Sequence, residues 1–68
     1  MNNFMFVPHP TWVTYDPTQG EVVGYRVCIG DLTIMDGEDF IKRSEAVNRA
    51  RQLLKSNQEV TIRYLYKD

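Results

Sequence analysis

Apolar positions recur along the chain at two different periods, and the change of period marks the elements. Val23, Tyr25, Val27 and Ile29 alternate with Gly24, Arg26 and Cys28, which is the period-two pattern of a strand running from Glu21 to Ile29. Ala46, Val47, Ala50, Leu53 and Leu54 then fall at i, i+1, i+4, i+7 and i+8. That spacing draws one apolar stripe on a helix over residues 44–56. Val60, Ile62 and Tyr64 alternate with Thr61, Arg63 and Leu65, so residues 59–66 read as a final strand.

The connecting segments are marked by turn chemistry. Thr11 to Tyr15 is rich in β-branched and aromatic residues and is followed by Asp16-Pro17-Thr18-Gln19-Gly20, a turn sequence. A hairpin of residues 11–15 with 21–29 is expected. Gly30-Asp31 predicts a tight turn into a third strand, Leu32 to Met35. Asp36-Gly37-Glu38-Asp39 reads as an acidic turn or bulge, after which Phe40 and Ile41 either resume the strand or anchor the loop. Phe4 to Val7 is apolar, but Pro8-His9-Pro10 bars it from a central strand. It is a leading arm or an edge strand.

The helix carries end signals. The Ser44 hydroxyl suits an N-cap, and Glu45 stands where the helix dipole favours an acid. Glu45 and Arg49 are spaced for an i,i+4 pair, Lys55 falls in the last turn, and Asn57 tolerates the left-handed conformation that ends helices. The expected fold is therefore α+β: a mostly antiparallel sheet of three to five strands with one amphipathic helix on one face. The 68 residues form a single domain, with a leading arm (1–10), a β-meander (11–42), the helix (44–56) and the last strand (59–66). The alternation leaves Arg26, Cys28, Thr61, Arg63 and Leu65 on the uncovered face of the sheet, open to water or to a partner.

Length and composition narrow the function. A chain this short buries only about 60% of its unfolded surface, so its stability margin is thin. With one cysteine, Cys28, and one histidine, His9, it can form neither an intrachain disulfide nor a zinc site from several such ligands. A lone cysteine fits a reducing cytoplasm. The first residues lack a basic segment followed by a long apolar one, so no signal peptide is expected, and no run is long enough to span a membrane. A net charge of −1 lacks the basic excess usual in nucleic-acid binders.

No enzymatic constellation is visible. His9 lies between two prolines with nothing to orient it, and Cys28 reads as an inert, partly buried thiol despite Arg26 two residues away. The acids Asp31, Asp36, Glu38 and Asp39 lack calcium-loop spacing, so no metal or other cofactor is expected. Lys42, Arg43, Arg49, Arg51 and Lys55 form a basic ridge that follows this acidic loop; a solvated helix face is the simpler reading, and phosphate contact the functional one. Trp12 and Tyr15 are residue types common at binding hot spots, and equally ones that so small a core needs.

Tyr25-Arg26-Val27, Ser44-Glu45-Ala46-Val47-Asn48-Arg49-Ala50 and Val60-Thr61-Ile62 lie in a β-β-α-β order over residues 22–66. In this the chain resembles small phage and bacterial domains, among them phage inhibitors of host RNA polymerase and some anti-CRISPR proteins. The resemblance implies a protein that binds a larger host protein and blocks it. The expected function is thus a non-catalytic protein-binding module, a phage-encoded inhibitor or accessory factor. Its surface would comprise Asp36, Glu38 and Asp39 with Arg26, Arg63 and Tyr66. Homodimerisation is a further way for so small a core to gain stability. The alternative is a small nucleic-acid-binding domain using Arg49, Arg51, Lys55 and Arg63.

Overall fold

The computed structural model describes residues 8–56 and 58–68. The expectations placed on Phe4 to Val7 and on Asn57 lie outside the described residues. The two strands with the clearest alternation form the centre of the sheet. Strand β2 (Val22–Ile29) pairs antiparallel with the last strand, from Val22 opposite Tyr66 to Ile29 opposite Val60. The register shifts between Val22 and Gly24, so Val22 takes the place opposite Tyr66 while Val23, the extra residue of a bulge, is exposed. The expected grouping of Val23 with Tyr25 and Val27 is corrected by that one-residue slip.

Numbering in chain order, strand β1 is Thr11–Trp12, β2 is Val22–Ile29, β3 is Glu38–Phe40 and β4 is Val60–Tyr66; the sheet order is β1-β4-β2-β3. The α+β class is as expected, with one α-helix and a four-stranded sheet among the described residues. The sheet is mixed, however. β1 runs parallel to β4, Thr11 beside Thr61 and Trp12 beside Ile62, and makes no hairpin with β2. Both sides of β2 are taken, by β4 and by β3, so β1 has no place beside β2 and pairs instead with the far edge of β4. The turn sequence 16–20 forms a short 3-10 helix, Pro17–Gln19, capped by the Asp16 carboxylate, which accepts from the Thr18 amide at 3.0 Å.

Helix α1 (Arg43–Leu54) packs on one face through the expected stripe. Ala46, Ala50, Leu53 and Leu54 are buried against Val27, Val60 and Ile62, with Trp12, Tyr25 and Phe40 at the margin. The two alanines let the helix axis approach the sheet closely. The N-cap is Lys42, in extended conformation and without a side-chain cap, so Ser44 lies inside the first turn rather than at its start. The chain leaves β3 at Phe40 and has only Ile41 and Lys42 in which to turn, which sets the N-cap two residues ahead of the expected one. No helix among the described residues is long and apolar enough to cross a membrane.

The opposite face is not open. Cys28 and Thr61, side by side in register, have no exposed surface. Residues 30–37, expected to hold a third strand at Leu32 to Met35, instead form an irregular loop that folds back over this face. Gly30 starts the loop with a φ of 126°, a conformation that favours glycine. Its carbonyl accepts from the Thr61 hydroxyl at 2.8 Å, so the one buried polar side chain among the described residues is satisfied. The acidic run does not form a free turn either: Glu38 and Asp39 belong to edge strand β3, where Asp39 stands opposite Arg26.

Candidate binding groove

The residues expected to bind a protein are largely engaged within the fold. Arg26 forms a two-pronged ion pair with Asp39, Nε to Oδ1 at 2.6 Å and Nη2 to Oδ2 at 2.9 Å, and also donates to the Met35 carbonyl. That hydrogen bond holds the Asp39 carboxyl below its ordinary value and the Arg26 guanidinium above its own. Arg63 donates through Nε to the Ile34 carbonyl at 3.0 Å and through Nη2 to the Leu32 carbonyl. The Tyr66 hydroxyl accepts the Asp16 amide at 2.9 Å. Arg26 and Arg63 therefore fasten the loop over the back face, and Tyr66 fastens the turn before β2. Asp36 is exposed and makes no ion pair among the described residues.

The basic ridge divides in the same way. Arg49 pairs with Glu38 across the gap between α1 and β3, at 3.0 and 3.1 Å, and donates to Gln52 at 3.2 Å. This replaces the expected Glu45–Arg49 pair and raises the Arg49 guanidinium above its ordinary value. Arg63 lies on the far side of the sheet from the helix. Arg51 and Lys55 alone, of the four residues expected to contact phosphate, come together on one surface.

That surface is a groove of about 770 Å³ between α1 and the segment entering β1. One wall is a row at four-residue spacing along the helix: Arg43, Val47, Arg51 and Lys55. The facing wall is Pro8-His9-Pro10, and the prolines give it a stiff backbone. Trp12 and Leu54 supply apolar surface between the walls. Trp12 is fixed by an edge contact with Tyr25, centroids 6.4 Å apart, and by Tyr64 at 5.8 Å. The Arg43 guanidinium carbon lies 4.7 Å from the centre of the Trp12 ring, within cation–π range. The ion pairs among the described residues are Arg26–Asp39 and Arg49–Glu38, so Arg43, Arg51 and Lys55 face the groove without a carboxylate to neutralise them.

Arg43 was expected in the basic ridge and Trp12 equally as hot spot or core, whereas Val47 was expected only in the apolar stripe. The signal that could have joined Arg43 and Val47 to Arg51 and Lys55 is their strict four-residue spacing, which places all four side chains on one ridge of a helix. The arrangement brings cations, an aromatic face and apolar walls together in one groove. Comparisons with protein-family models, with curated proteins and with solved structures find no match.

Proposed function

We propose that this chain is a non-catalytic protein-binding module that docks on a larger protein through the groove between α1 and β1. The observation that carries this reading is the row of uncompensated cations, Arg43, Arg51 and Lys55, beside the ring of Trp12. Aromatic and arginine side chains around an apolar centre are the residue types on which binding energy concentrates. Of the acidic residues expected at the interface, Glu38 and Asp39 are held by Arg49 and Arg26, and Asp36 is exposed. Inhibition of a host protein, the role implied by the resemblance to phage domains, needs only such a surface. A cytoplasmic setting accords with the single thiol of Cys28.

Affinity capture from nuclease-treated cell lysate tests the reading. The wild-type chain and Asp36→Lys should retain the same discrete protein, and Arg51→Glu combined with Lys55→Glu should lose it while keeping the wild-type circular dichroism spectrum. Retention by the double variant would remove the groove from the interface. Loss of all capture on nuclease treatment of the wild-type sample would favour the nucleic-acid reading, in which Arg51 and Lys55 contact phosphate.

A further inference from the structure

We infer that the groove takes an extended acidic segment of the partner whose side chains alternate in register with the helix row. The inference rests on the groove being the docking surface and adds what it recognises. Successive members of the row, Lys55, Arg51, Val47 and Arg43, stand four residues apart. Four residues of α-helix advance about 6 Å. Two residues of extended chain advance about 6.6 Å and return the side chain to the same face. An extended peptide along the ridge thus presents every second side chain to the next member of the row. The axial mismatch accumulates to about 2 Å over the row, and each step turns about 40° round the helix, so the peptide runs obliquely along the ridge, within the reach of long arginine and lysine side chains.

The chemistry of each position follows from its neighbour. Lys55 and Arg51 each call for a carboxylate, Val47 for an apolar side chain that also meets Trp12 and Leu54, and Arg43 for a third carboxylate. The recognised pattern is acid-x-acid-x-apolar-x-acid, counted from the Lys55 end. A nucleic-acid strand would present a fourth phosphate at Val47, where an apolar residue stands in place of a cation. That interruption, with the net charge of −1, favours a peptide.

Fluorescence anisotropy of the full chain with labelled seven-residue peptides decides the matter. One peptide carries acids at its first, third and seventh positions and leucine at its fifth, with serine elsewhere; a second is its reverse, since the row does not fix chain direction. A third has the same composition with its acids moved to even positions. One of the first two should bind about tenfold more tightly than the third, since misplacing the charges forfeits their contacts. Lys55→Glu should weaken that peptide, and replacing the acid facing position 55 by lysine should restore it. Equal binding of all three peptides, no binding by either aligned peptide, absence of the charge-swap rescue, or tighter binding of oligothymidylate would each overturn the inference. A lysate partner still lost on mutating Arg51 and Lys55 would show that the docking surface stands even if the peptide pattern fails.

Discussion

Arg26 on β2 and Arg63 on β4 stand directly opposite one another in register, a placement of like charges that destabilises a sheet unless each is compensated. Here Arg26 turns to Asp39 and the Met35 carbonyl, and Arg63 to the carbonyls of Ile34 and Leu32. The pair draws the loop across the sheet, and beneath that loop Cys28 and Thr61 are wholly buried. Replacing Arg63 by Ala should therefore release residues 31–36. Labelling of the Cys28 thiol by a thiol reagent should accelerate, and amide exchange should rise in that loop before it rises in α1. Unchanged thiol labelling would mean that apolar packing of the loop alone protects Cys28.

Gly24 lies where the backbone of β3 passes close to β2. A β-carbon there would stand 2.9 Å from the Phe40 carbonyl oxygen, nearer than such atoms approach. Gly24→Ala should push β3 outward and cost about 1–3 kcal/mol in urea unfolding, the usual range for overpacking. The Arg26–Asp39 pair, which spans the same two strands, should loosen with it.

The core under the helix is thin, and Ile62 is at its centre with no exposed surface. Ile62→Val should cost about 0.5–1.5 kcal/mol, measurable by denaturation while most of the chain remains folded. The same substitution at Ile29, which is half exposed at the end of β2, should cost clearly less.

Tyr66 ties the last strand to the turn ahead of β2 by accepting the Asp16 amide. Tyr66→Phe keeps the ring beside Tyr15 and Tyr64 and removes only the acceptor. The expected loss is about 1 kcal/mol, with faster exchange of the Asp16 amide as the local readout.

Acid should weaken the fold through three carboxylates. Asp39 is held below the ordinary value of 3.8 by Arg26, Asp16 by Thr18 and Gln19, and Asp31 by Thr33. A carboxyl depressed in the folded state binds protons more readily when unfolded. Its contribution is therefore complete above about pH 5 and is lost as pH falls through the lower folded value. Urea midpoints should be flat from neutral pH down to about 5 and drop below about 4. Asp39→Asn should lower the plateau and make the acid fall shallower; an unaltered fall would place the acid sensitivity elsewhere.

How far the sequence carried can be judged residue by residue. The helix was legible because Ala46, Ala50, Leu53 and Leu54 bury a stripe whose period no strand shares, and β2 and β4 because their alternation extends over several residues. Pairing was not legible, since alternation states which face is inward but not which strand lies beside it. Asp16-Pro17 and Gly20 are turn residues in either topology, and a hairpin of Thr11–Trp12 with β2 is excluded by β4 and β3 occupying both sides of β2. Leu32, Ile34 and Met35 look like a strand, yet Asp31 ties its carboxylate to the Thr33 amide and hydroxyl and bends the chain away from one. The arginines read as free binding groups are held by carbonyls of that loop and by carboxylates of β3, long-range partners that no local pattern reveals. Arg51 and Lys55 kept their surface role because the far side of their groove comes from residues 8–12, which bring no acid to it.

The two rims of the sheet are very short: β1 contributes two residues and β3 three. A second copy arriving at β3 would find few main-chain groups to bond before the strand ends, and at Glu38 and Asp39 it would meet carboxyl groups that each already hold a guanidinium. Ribbon-like stacking of copies, the hazard of small β-rich folds, is thus checked by the brevity and polarity of its margins. Concentrated solutions of this chain should resist fibril formation, even with Ile41 four-fifths exposed just beyond β3.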